Sequence, residues 1–169
     1  MSAAQLEPII EACFGSPKDP IELVDRRVQE QLADRRAIVW EGDAQTFQFT
    51  FVSRSAEVLL GHPVARWTME PTFWADTVIA AADRDEAIAY CALATTKRAH
   101  HAFDYRAHTR DGDLVWLRDF VRVDVGPRGI ARTLRGIMID ITDEKRRTGE
   151  YERAASFRAP SVAELTTMA

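Results

Sequence analysis

The stretch Arg135-Gly136-Ile137-Met138-Ile139-Asp140-Ile141-Thr142-Asp143-Glu144-Lys145 is an apolar strand that stops at Asp-Ile-Thr and runs straight into charged, helix-compatible residues. A carboxylate at a strand's end accepts backbone or arginine hydrogen bonds, and Arg106 and Arg118 are the candidate partners of Asp140. Threonine is a good N-cap, so Thr142 is expected to start a helix from residue 143. Asp140, Ile141 and Thr142 then form either a plain capped junction or one through which a shift of the last strands tilts or frays the helix.

Working outward, residues 102–109 and 114–125 read as strands joined by Asp111-Gly112, a strong hairpin signal. Gly126-Pro127-Arg128-Gly129 turns the chain into the last strand, residues 131–141. Upstream, Asp83 can cap a helix over residues 84–98 whose apolar face is Ala87, Ile88, Cys91, Ala92 and Leu93. Residues 55–60 make a short helix closed by Gly61, and the stretch from Pro63 to Pro71 is irregular or single-turn. A first hairpin joins residues 37–40 to Phe47, Phe49 and Phe51 through a turn at Gly42-Asp43, the three rings alternating as on one face of a strand. Two strands, several small helices and three further strands make a five-stranded antiparallel α+β sheet.

Two helices precede this unit. Leu6, Ile9, Ile10, Cys13 and Phe14 keep helical spacing until Gly15-Ser16-Pro17. Asp19-Pro20-Ile21-Glu22 supplies an N-cap acid, a first-position proline and a third-position acid for the second helix. Its stripe Ile21, Val24, Val28, Leu32 must be covered, either by the domain's own sheet or by a second copy as a dimer seam. Apolar residues on both sides of strand 114–125 also point to pairing of two copies, since a sheet with one wet face should alternate more cleanly.

With 46% hydrophobic residues, four Trp and eight Phe, 169 residues suffice for a packed core. The net charge is −4, with 22 basic residues scattered among 26 acidic ones, so no concentrated positive field exists for nucleic acid. Cys13 and Cys91 lie too far apart for a metal motif and fit a reducing compartment. No signal peptide and no apolar run of ~18 residues is present, so a cytoplasmic protein without a membrane partner is expected.

The ordered set Phe51-Val52-Ser53, Leu59-Leu60-Gly61-His62-Pro63, Phe73-Trp74, Asp83-Arg84, Tyr105-Arg106, Arg110-Asp111-Gly112, Trp116 and Asp140-Ile141-Thr142 resembles the PAS family, most closely its third fold subclass, across residues 37–147. The resemblance implies a PAS fold with small helices on one sheet face over residues 37–142. Residues 1–36 are then N-terminal helices, and residues 143–169 a C-terminal helix and tail. It also implies a non-enzymatic sensor or adaptor for signal transduction, acting on flanking helices of a homodimer or on a partner protein. With the sequence ending at Ala169, output is expected from a partner or from dimer rearrangement.

The pocket implied by that fold lies between the sheet and the crossing helix, and the residues able to line it for a small apolar ligand are Phe49, Phe51, Val58, Trp74, Ile88, Cys91, Phe103 and Tyr105. An ordinary filled core would use the same residues. No cysteine stands near Arg66-Trp67-Thr68-Met69, which excludes covalent flavin photochemistry, and Cys91 is read as a small core hydrophobe. No cofactor is the first expectation. The alternative is a haem-bound gas or redox sensor using His100 or His101. A small α+β-barrel enzyme built on the same histidines with Asp104 is a third reading, although no nucleophile or oxyanion hole accompanies them. His62 and His108 are expected at the surface.

Overall fold

The computed structural model describes residues 1–151. Its helices are α1 (Ala3–Phe14), α2 (Ile21–Gln31), α3 (Ser55–Leu60), α4 (Val64–Met69), α5 (Ala81–Thr96) and α6 (Thr142–Arg147). Its strands are β1 (Ile38–Asp43), β2 (Phe49–Val52), β3 (His101–His108), β4 (Leu114–Val125) and β5 (Ala131–Asp140), all antiparallel in the order β2-β1-β5-β4-β3. The last strand therefore sits at the sheet's centre, between the first and the fourth. The helix expected from residue 143 onward stops at Arg147, with Gly149 at φ +73°, and its expected continuation beyond residue 151 lies outside the described residues.

The alternation of β4 explains why both sheet faces are dry. Leu117, Val121 and Val123 enter a core with Trp40, Leu134 and Met138, covered by α3, α4, α5 and a π-helical turn over Trp74–Val78. Trp116 and Phe120 point the other way, into a second core with Val39, Ile137 and Ile139. That outer core is closed by α1 and α2: Ile21, Val24, Val28 and Leu32 are all buried in it with Leu6, Ile10 and Phe14. The stripe expected as a dimer seam is thus consumed within the chain. Burying its apolar surface on β4 and β5 removes it from water without a partner.

Several boundaries differ from those read in the sequence, each for a local reason. β1 runs on through Gly42-Asp43 because the turn falls at Ala44 to Thr46, whose Gln45 and Thr46 N–H groups donate to Asp43 Oδ1. Asp83 is not a cap: α5 begins at Ala81, and Asp83 instead accepts from Arg106. Asp19 likewise gives up the cap, α2 starting after Pro20, and pairs with Arg27 at 2.8 Å. The β3–β4 loop is longer than two residues, Thr109 N–H donating to Asp113 O at 2.9 Å. Gly61 does close α3 in the left-handed region, at φ +83°.

Candidate functional site

The inner stripe of β4 reads Leu117, Asp119, Val121, Val123, so a carboxyl group stands where every neighbour on that face is apolar. Asp119 is 1% exposed. Trp40 Nε1–H donates to its Oδ1 at 3.0 Å and Tyr105 O–H to its Oδ2 at 3.2 Å. Trp74 Nε1–H donates in turn to the Tyr105 hydroxyl at 3.1 Å, fixing which way the phenol points. Among the described residues no lysine or arginine forms an ion pair with Asp119. Burial accordingly pushes its carboxyl up to about 7, against the pull of the two hydrogen bonds, because the charged form is the one desolvation penalises. Burial acts the same way on Tyr105 and on Cys91, whose thiol is pushed up to about 12.

Around this carboxyl lies a cavity of about 30 Å³, lined by Trp40, Gly42, Asp43, Phe47, Phe49, Trp74, Cys91, Phe103, Asp119 and Leu134. Its rings meet edge to face, Phe49 against Trp40 at 5.2 Å and Trp74 against Phe103 at 6.5 Å. Trp40 can lie flat across the sheet only because its partner on β5 is Gly136, where a Cβ would overlap the indole. Phe47, 40% exposed and at φ +60°, forms the outer wall with Asp43.

Of the pocket residues expected from the sequence, Phe49, Trp74, Cys91 and Phe103 line this cavity, and Tyr105 stands behind it. Three do not. Phe51 faces the outer core, because a bulge pairs Glu41 with Phe51 and Gly42 with Phe49, reversing the alternation between them. Val58 is 74% exposed, since α3 buries Ala56, Leu59 and Leu60 instead. Ile88 is 38% exposed, because α5 turns Ala87, Tyr90, Cys91 and Ala94 inward at i, i+3, i+4 and i+7. Asp119 escaped the sequence reading: beside Arg118 it resembles a wet strand, although an acid in an apolar i, i+2 series was the available signal.

The histidines fall elsewhere. His101 is buried, its Nδ1 2.9 Å from Ala99 O and its ring stacked on Phe103, and burial pushes it down to about 4. His100 Nδ1 accepts from Val123 N–H. Asp104 pairs instead with Arg118 and Lys145, so it orients neither imidazole. A haem does not fit beside His101, which is enclosed by Tyr90 and Phe103, while the inner cavity is an order of magnitude below ligand-pocket volumes of ~300 Å³. His62 is buried against Phe73 rather than at the surface; His108 is exposed.

The Asp-Ile-Thr junction is tied to β4. Ile141 N–H donates to Trp116 O at 2.9 Å, and Trp116 N–H to Thr142 Oγ1 at 3.0 Å. Thr142 is the first residue of α6 rather than its cap, and its hydroxyl and N–H both donate to Asp140 Oδ1. Neither expected arginine reaches Asp140: Arg106 is held by Asp83 and Arg118 by Asp104. Arg35, following α2, pairs with Glu144 of α6 at 2.8 Å.

No protein-family model matches the chain, and no curated protein does. Solved structures do. The N-terminal domain of a diguanylate cyclase with a PAS/PAC sensor from Marinobacter aquaeolei is 35% identical, over 64% of this chain and 97% of that one, with a TM-score of 0.59. A sensory box histidine kinase/response regulator from Burkholderia thailandensis matches at 21% identity, over 73% of this chain and 90% of that one, with a TM-score of 0.59. A domain of a putative light and redox sensing histidine kinase from Haloarcula marismortui matches at 21%, over 69% and 99%, with a TM-score of 0.58.

Proposed function

Because this chain belongs to the PAS domain family, we propose that it is a sensory signalling module whose inner cavity receives the stimulus and whose Asp140-Ile141-Thr142 junction passes it on. One observation carries the reading. The strand that presents Asp119 to the cavity also presents the Trp116 backbone N–H and C=O to Thr142 and Ile141. A shift of β4 along its length, driven from the cavity, therefore alters both hydrogen bonds that seat α6. The Arg35–Glu144 pair extends the connection from α6 to the N-terminal helices. Output then goes to a partner protein, or to a second copy through a surface other than the buried α2 stripe. The module works without catalysis, and its two free buried thiols suit the cytoplasm.

Amide hydrogen exchange tests the relay. Asp119→Asn perturbs the cavity without touching the junction, and it is expected to change protection at the Ile141, Lys145 and Thr148 amides, which are hydrogen-bonded here. Thr142→Ala should uncouple them, so that the same cavity change no longer registers there. Unchanged protection in Asp119→Asn would mean that cavity and junction are independent.

A further inference from the structure

The cavity's charged lining is one-sided. Asp119 sits at its floor and Asp43 at its mouth, and among the described residues no basic side chain lines it. Each Asp119 oxygen accepts one hydrogen bond, from Trp40 or Tyr105, and a carboxylate oxygen has room for a second. Most of the remaining wall is aromatic, from Trp40, Phe47, Phe49, Trp74 and Phe103, with Gly42, Cys91 and Leu134 completing it. Aromatic faces attract cations, and a buried carboxylate without a counter-charge is costly until one arrives. The volume of about 30 Å³ exceeds the ~10–15 Å³ that a single water requires and leaves room for one ammonium head group. A neutral apolar occupant would leave the Asp119 lone pairs unsatisfied.

We propose that this cavity binds the primary-ammonium head of a small amine, with Asp119 as its counter-ion, the aromatic rings as its walls and Asp43 at the entrance. The inference rests on the reading of the cavity as the receiving site. The amine's tail leaves past Phe47, which lines the cavity from the loop between β1 and β2 and is 40% exposed. The titratable groups facing Asp119 are Cys91 from α5 and Tyr105 from β3, with His101 further along β3 and Asp43 at the end of β1; β5 contributes only Leu134 and Met138. None of them supplies a positive charge at neutral pH, His101 being held neutral by burial.

Methylammonium chloride titrated into the full chain, followed by calorimetry and tryptophan fluorescence, tests this against methanol as the neutral isostere and sodium chloride as the salt control. Saturable binding of methylammonium alone is expected. It should tighten about tenfold between about pH 6 and about pH 8, as Asp119 loses its proton while the amine keeps its own. Asp119→Asn should abolish binding. Asp43→Asn, which keeps an acceptor for the Gln45 and Thr46 N–H groups, should weaken it severalfold and guards against a fold defect in the first variant. Equal binding of methanol, no saturable signal near pH 8, or full affinity in both variants overturns the proposal. If junction exchange responds to Asp119→Asn while no amine binds, the sensory reading survives and this inference falls. Amine binding with an unresponsive junction leaves the ammonium site standing and removes the relay.

Discussion

Asp119 makes the fold's stability depend on pH in a direction opposite to that of most carboxyl groups. Its ordinary value is 3.8, and in the folded chain it is pushed up to about 7. Between those values the folded state keeps a proton that the unfolded state has lost, so stability falls as pH rises through that window. The favourable contribution is complete below about pH 4 and gone above about pH 7, and its full size is on the order of 4 kcal/mol. Burial pushes His101 down to about 4 and lowers His62 and His100, which adds stability as pH rises, so the decline is read as the difference between the native chain and Asp119→Asn in urea denaturation from pH 4 to pH 8. A decline of equal size in the variant would place the titrating group elsewhere. Gly136 is the complementary test, because Ala there drives a methyl into Trp40. We expect Gly136→Ala to destabilise the fold by ~3 kcal/mol, read by the same denaturation.

The elements show what sequence periodicity can and cannot carry. The stripe Ile21, Val24, Val28, Leu32 was legible as a face needing cover, but spacing alone names no occupant. The occupant is the outer face of β4 and β5, and the apolar residues on both sides of β4 were its other half. Leu32, 1% exposed, makes the distinction measurable: Leu32→Ala should cost ~2–4 kcal/mol of stability and leave the mass by light scattering unchanged. A changed mass would return the stripe to a seam between copies. Inside the cavity, helix phase decided what the sequence left open, since one residue's difference, about 100°, separates buried Ala87 from half-exposed Ile88. The bulge that parts Phe49 from Phe51 had no local signature, because three alternating rings look like an undisturbed strand. At the junction the passage from strand to helix was legible but its partners were not: Thr142 bonds to Asp140 and to the Trp116 backbone, which side-chain chemistry cannot advertise, and neither expected arginine takes part.

At the scale of the molecule, the sheet has three layers around it: inner helices, strands and the N-terminal helix pair. Removing residues 1–36 would uncover Val39, Trp116, Phe120, Ile137 and Ile139 together, a contiguous apolar face of the kind that drives association. We expect the truncated chain to run as oligomers in size-exclusion chromatography with light scattering; a well-behaved monomer would mean that the helix pair is dispensable. The cavity mouth lies beside Asp43, paired with Thr133, whereas the exit lies at Asp140, opposite Leu117. From Thr133 to Asp140 the ladder runs roughly 24 Å at ~3.4 Å per residue. Doorway and handle are therefore at opposite ends of one plank. If the chain signals as proposed, an effector gripping α6 leaves the doorway clear, and stimulus and downstream protein do not compete for the same ground.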